Sequence, residues 1–229
     1  WLHAHFRLAV CAGKLGDWWR AVAAFDEVLA LPWLDDIDRL EATVGRGIAL
    51  GEAGDVDAAE LAFSQALWIH RKAAAEARFD DRGLAAEAAF RMGEIADAKY
   101  RNVVLAYPLE TLRQRLERKC ELLLSAQSRY LRAIQYGDAH TVAAAGLRMG
   151  GLYESLYDMI VSLEVPPDLD AEQAEVYLEE VKSRIAVLLD KALMAYERSL
   201  VVGRRAPSAA DWVARLEAAV ARVRIIVAP

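Results

Sequence analysis

The chain of 229 residues repeats part of itself. Residues 16–32 read GDWWRAVAAFDEVLALP and residues 54–70 read GDVDAAELAFSQALWIH. Without gaps, Gly16 meets Gly54, Asp17 meets Asp55, Ala21 meets Ala59, Phe25 meets Phe63 and Leu29 meets Leu67, all at an offset of 38. Self-similarity at one period restricts the fold to units that bury their apolar faces against copies of themselves. Glycine suits the left-handed residue after a helix, and aspartate caps the helix that follows. Alanine four residues on lets a neighbouring helix approach. Phenylalanine and leucine, at successive turns, continue the same stripe.

Composition agrees with helices. There are 44 alanines, 6 prolines and 13 glycines. Alanine is the best helix former and a poor strand former, so sandwiches and barrels are excluded. Hydrophobic residues make up 55% and charged residues 27%, which excludes disorder. No apolar run is long enough to span a bilayer. The net charge of −6 argues against a nucleic-acid partner. Cys11 and Cys120 make neither a disulfide framework nor a zinc pattern, and such usage fits cytoplasm and periplasm equally. The chain opens at Trp1 rather than Met, the expectation being a processed form or a piece of something longer.

A second pair of units follows. Arg91-Met92-Gly93 recurs as Arg148-Met149-Gly150 at an offset of 57, and Ala126, Tyr130 and Gly137 recur as Ala192, Tyr196 and Gly203 at 66. These units lack the Gly-Asp turn, and their first helices are expected to run to Tyr107-Pro108 and Val165-Pro166-Pro167. Their second helices carry apolar spacing at Leu116, Cys120, Leu123, Leu124, Ser128, Leu131 and Ile134, and at Val181, Ile185, Leu188, Leu189, Ala192, Tyr196 and Leu200. Pro207-Ser208 opens a last helix carrying Trp212, Leu216, Val220 and Val223. The expected helices are 2–13, 17–31, 37–52, 56–79, 83–106, 109–136, 139–163, 170–202 and 208–226.

The first two units resemble the tetratricopeptide repeat, a helix–turn–helix of about 34 residues. The family's small first-helix residue falls on Ala9 and Gly47, its turn on Gly16-Asp17 and Gly54-Asp55, and its second-helix Ala and aromatic on Ala21, Ala59, Phe25 and Phe63. Trp18 matches the aromatic turn position and Val56 departs from it. The longer period implies an extra helical turn, expected in 33–38. The resemblance implies an all-α, right-handed α-solenoid of antiparallel helix pairs with a C-terminal capping helix. Its parts are two repeats over 1–79, extended pairs over 80–138 and 139–205, and the cap over 206–229, in one continuous domain. Gly93 and Gly150 suit the small position in the extended pairs.

Residues 84–226, with VPPDLDAEQAEVYLEEV, LLDKALMAYERSL and Trp212, also resemble long-helix tetratricopeptide proteins of deltaproteobacteria, among them envelope components of the myxobacterial adventurous gliding motility machinery. That resemblance implies a periplasmic or outer-membrane-associated structural part, with a cytoplasmic place left open.

No motif for catalysis stands out. His3 and His5 lie on different helix faces, and neither H-E-x-x-H nor an Asp-rich loop is present, so no metal or cofactor is expected. Cys11 and Cys120 sit in apolar stripes and read as buried, inert thiols. Arg113, Arg115, Arg118 and Lys119 interleave with Glu110, Glu117 and Glu121 and read as an ion-paired solvated face. The pairs Asp35-Asp36, Asp80-Asp81 and Glu179-Glu180 read as caps or polar faces. Trp18 fits the core, and Trp19 reads as a core-boundary residue with an exposed contact as the second reading.

In the tetratricopeptide family, partners lie along the concave face made by first helices. Carried onto this chain, that face holds His3, Phe6, Val10, Gly13 and Lys14, then Glu41, Val44, Ile48, Gly51 and Glu52, then Glu87, Phe90, Glu94, Asp97 and Ala98, and finally Ala144, Leu147, Gly151, Glu154 and Ser155. The candidate groove residues are His3, Phe6, Glu41, Glu52, Glu87, Phe90, Glu94, Asp97 and Glu154. Their acidity implies a basic or amphipathic-basic protein segment. The expected function is a non-enzymatic protein-interaction scaffold. The alternative is a regulatory or sensor module of a larger signalling protein.

Overall fold

The computed structural model describes every residue except 77, 79–81, 107, 167–168 and 229, and the side chains of 109 and 110. The Asp80-Asp81 pair, Tyr107, Pro167 and the Glu110 side chain therefore lie outside the described residues. Among those described the fold is all-α: α1 Leu2–Lys14, α2 Trp18–Leu29, α3 Asp36–Glu52, α4 Val56–Ala75, α5 Arg82–Arg101, α6 Leu109–Gln135, α7 Ala139–Val161, α8 Ala171–Gly203 and α9 Ala210–Val227, with a 3₁₀ turn at Pro207–Ala209. Helices pack in neighbouring antiparallel pairs, α1 with α2, α3 with α4 and α7 with α8, while α9 covers α8. No described helix is long and apolar enough to cross a membrane.

The chain forms two compact units, Trp1–Ile95 with Gln135–Asp138, and Ala96–Ile134 with Ala139–Pro229. The division falls inside α5 rather than at a repeat boundary.

In the first unit the repeat is visible atom by atom. Gly16 and Gly54 have φ of 77° and 91°. The amide of Asp17 donates to the Ala12 carbonyl and that of Asp55 to the Leu50 carbonyl, both at 2.9 Å. Each aspartate then accepts from an amide three residues on, Arg20 or Ala58. Helix end, turn and helix start thus satisfy their own orphan groups in the same way twice. A Cβ on Gly47 would stand 2.6 Å from the Phe63 ring, so only glycine lets α3 and α4 close over that ring. Phe25 sits likewise against Gly45 of the next helix, and edge-on to Phe6 with ring centres 6.2 Å apart.

The structure corrects the sequence reading in several places. The extra residues of the first repeat form no helical turn: 30–35 is a connection that buries Leu34 and ends at the Asp35 cap. Helices α5 and α7 stop at Arg101 and Val161, several residues before their prolines. In α6 the buried stripe is Leu112, Lys119, Leu123, Ala126, Tyr130 and Ala133, whereas Leu124 and Leu131 face outward. Cys11 is exposed and Cys120 half-buried, so neither belongs to a sealed core.

Lys119 explains the early stop of α5. It is not on the solvated face but fully buried, and its ammonium donates to the carbonyls of Tyr100 at 2.9 Å and Val103 at 2.6 Å. It lies 4.1 Å from the centre of the Tyr100 ring. A charge from α6 thereby serves the carbonyls where α5 ends, joining the Val103 amide on Tyr100 and supplying a donor to Val103. Burial, with the charge of Arg101, holds the lysine below its usual range. Burial also pushes the Tyr100 phenol up to about 12, and its hydroxyl donates to the Leu152 carbonyl at 3.2 Å. Lys119→Met should cost about 1.5–3 kcal/mol, the range for charged hydrogen bonds, because the charged bonds to the Tyr100 and Val103 carbonyls are lost and Tyr100 keeps only the Val103 amide. Urea unfolding measures it, and a variant as stable as the parent would remove Lys119 from this role.

Candidate binding surfaces

The second unit contains a motif that its offsets announce. Asp97 and Glu154, 57 residues apart, each lie four residues after the small residue of a first helix. Each accepts a hydroxyl from the paired tyrosine of the second helix. Tyr130 donates to Asp97 Oδ2 at 3.3 Å, and Tyr196 to Glu154 Oε2 at 2.8 Å. Each also holds an arginine: Arg101 Nε lies 2.8 Å from Asp97 Oδ1, and Arg222 is bidentate on Glu154 at 2.6 and 2.8 Å.

Electrostatics follow from this geometry. Burial alone would raise the Glu154 carboxyl, but the hydrogen bonds from Arg222 and Tyr196 and the charge of Arg222 outweigh it, and its pKa falls below the usual range. Burial and the carboxylate it bonds push the Tyr196 phenol upward. Asp158 is raised by burial and by Glu154, against the pull of Arg222.

The candidate groove residues therefore divide. His3, Glu41 and Glu52 are exposed, and Phe6 is half-buried against the core of the first repeat. Glu87 and Glu94 are half-buried and share Arg91, at 2.7 and 3.0 Å. Burial pulls the Arg91 guanidinium down, and the two carboxylates outweigh it and raise its pKa. Phe90, Asp97 and Glu154 are 6%, 5% and 7% exposed. Four of the six acids are thus held by Arg91, Arg101 and Arg222, and the charge argument for a basic partner loses its footing. Arg91 and Arg101 stand three or four residues from their acids and were open to view in the sequence. Arg222, 68 residues from Glu154, was not.

Cavities open on the described surface of both units. In the first unit, one of about 360 Å³ is lined by Ala9, Val10, Gly13, Lys14, Trp18, Phe25, Gly45 and Ile48 among others. Val10, Gly13, Lys14 and Ile48 are positions that the sequence placed on the concave face. In the second unit, a mainly apolar cavity of about 470 Å³ lies among α6, α7 and α8, reached by Leu131, Ile134, Met149, Tyr153 and Met194. Another in that unit, of about 360 Å³, has Arg101, Arg148, Arg215, Arg222 and Glu154 in its wall.

Trp19 is 59% exposed, so the second of its two readings describes its position. His140 anchors α9: Trp212 Nε1 donates to its Nε2 at 3.2 Å, and its Nδ1 lies 2.9 Å from the Ser208 carbonyl. The paired face of α6 is present in Arg113–Glu117 and Arg118–Glu121. Among the described residues no three His, Cys, Asp or Glu side chains are grouped to hold a metal ion.

No family model and no curated protein matches the chain. Among solved structures, BtubC (BKLC) from P. vanneervenii is similar with a TM-score of 0.41 and 19% identity, over 96% of this chain and 76% of that one. A thermophilic TPR protein of Thermus thermophilus, TTC0263, is similar with a TM-score of 0.37 and 22% identity, over 96% of this chain and 100% of that one. Both likenesses are loose, and the all-α assignment rests on the helix pairs themselves.

Proposed function

We propose that the chain is a non-enzymatic scaffold that holds a protein partner on the first helices of its repeats. The observation that carries this reading is the open cavity of the first unit. Small residues, Ala9, Gly13, Ala21 and Gly45, line it, and among the described residues Lys14 is its one charged lining residue. Val10, half exposed, stands at its edge. An apolar hollow with one cation suits an apolar side chain of a partner segment better than a polar metabolite. Exposed Trp19, Trp33 and Trp68 in the same unit add large apolar contact area.

A photo-crosslinking residue at position 10 or 48 of the full-length protein, in its own cells, tests this. The two positions should capture the same protein, and Val10→Glu should abolish capture from position 48. Different proteins at the two sites, or capture indifferent to Val10→Glu, would end the proposal.

We further propose that the scaffold belongs to a bacterial envelope assembly such as the gliding motility machinery. The resemblance read from the sequence of residues 84–226 motivates this. Exposed Cys11 provides the test. A maleimide that cannot cross the inner membrane should label it in cells with a permeabilised outer membrane. Labelling only after inner-membrane lysis would place the chain in the cytoplasm instead.

A further inference from the structure

The chain carries a net charge of −6, yet one cavity of the second unit collects four arginines and, among the described residues, a single carboxylate. They come from three helices: Arg101 from α5, Arg148 from α7, and Arg215 and Arg222 from α9. Residues 215 and 222 are two turns apart and share a face, with Ala218 and Ala219 between them keeping that face low. We propose that this cavity is a binding site for a phosphate monoester.

Three of the guanidiniums, those of Arg101, Arg215 and Arg222, are held in place. Glu154 takes Nε and Nη2 of Arg222, while Arg101 donates from Nη2 to Asp97 Oδ2 at 3.2 Å and its Nε lies 2.8 Å from Oδ1 as an ion pair. Each arginine keeps further N–H donors beyond those two. Arg215 is braced on the Trp212 ring, its guanidinium carbon 4.5 Å from the ring centre. Arginines fixed in this way lose little freedom on binding and present the planar fork that matches an oxyanion. A carboxylate offers two oxygens, and the two carboxylates already present each occupy one arginine. A phosphate monoester brings nearly two charges and three strong acceptor oxygens, which suits several guanidiniums at once.

Gly151 makes the space. It lines the cavity, and a Cβ there would have only the Tyr196 hydroxyl oxygen near it, at 3.9 Å. A Cβ at this position meets no close contact, so packing does not demand a glycine there, and a larger side chain grows from the cavity wall. That yields a variant that removes the site and leaves every arginine.

The test uses the full chain with phosphoserine, serine, inorganic phosphate and chloride at matched ionic strength, read by calorimetry and by Tm. Phosphoserine should bind and raise Tm where serine and chloride do not. Gly151→Leu and Arg215→Gln, whose melting without ligand shows that they fold, should each weaken binding at least tenfold. A phosphoserine heptapeptide distinguishes the sources. Binding tenfold tighter than free phosphoserine assigns the phosphate to a protein partner, and equal binding assigns it to a small phosphate ester. No effect beyond chloride, an effect unchanged in Gly151→Leu, or tighter binding of the glutamate-substituted peptide would overturn the proposal. The small-molecule arm involves no partner protein, so its failure leaves the scaffold reading standing, and the reverse holds too.

Discussion

Gly150→Ala should destabilise the protein by about 1–3 kcal/mol, the cost of overpacking a closed interior, although alanine is the better helix former by about 1 kcal/mol. The added Cβ would stand 2.6 Å from both Cδ1 and Cζ of Tyr196. That ring cannot swing aside, because its hydroxyl is tied to Glu154 at 2.8 Å and the side chain is 1% exposed. One turn earlier, a Cβ on Gly146 would overlap Ser199 in the same way. The two glycines are therefore the line along which α7 and α8 touch. Gly151→Ala is the internal control, since its Cβ has room and propensity should make it neutral or stabilising. Urea unfolding of the two variants side by side measures the difference. Equal midpoints would mean that the helix pair yields freely and that Gly150 is not a contact point.

The two residues of that contact were legible in the sequence as recurring positions, Gly150 with Gly93 and Tyr196 with Tyr130, although their meeting was not. A close approach of helices needs a glycine at a fixed distance from a large residue on the partner, and both Gly150 and Tyr196 recur with their repeat. The Gly-Asp turns were legible because every hydrogen bond in them spans five residues or fewer. What stayed hidden was the fate of the charges. Asp97 and Glu154 occupy positions that line a groove in shorter repeats, and nothing within four residues of Glu154 reveals that a C-terminal helix brings Arg222 to it. Lys119 misled similarly. A lysine among arginines and glutamates reads as solvated, and only the carbonyls at the end of a helix 16–19 residues earlier make its burial sensible. In α6 the error was one of phase. The helix carries two apolar stripes, and periodicity alone does not say which of them meets α5 and which remains open toward the cavity near Leu131.

Arg222→Met should cost about 2–4 kcal/mol at neutral pH and reverse the response of this site to acid. The size follows from what is left behind. Breaking a buried pair by removing one partner costs about 3–5 kcal/mol, and partial exposure of Arg222 lessens it. The Glu154 side chain is only 9% exposed and would keep the Tyr196 hydroxyl as its one donor in the pair of contacts described. In the parent, the folded pKa of Glu154 lies below its unfolded value. The folded carboxylate thus contributes stability at pH above that unfolded value, near 4.5, and the contribution is lost as pH falls through the folded pKa. Without Arg222, burial and neighbouring Asp158 press the carboxyl upward. The folded state then holds its proton more tightly than the unfolded chain, and stability declines as pH rises through the window from about 4.5 upward. The gap between variant and parent should therefore widen from pH 4 to pH 7. In a Glu154→Gln background no charge is stranded, so Arg222→Met should cost much less there, and the double-mutant cycle isolates the pair. Parallel pH profiles with additive costs would mean that Arg222 packs against α7 without governing the ionisation of Glu154.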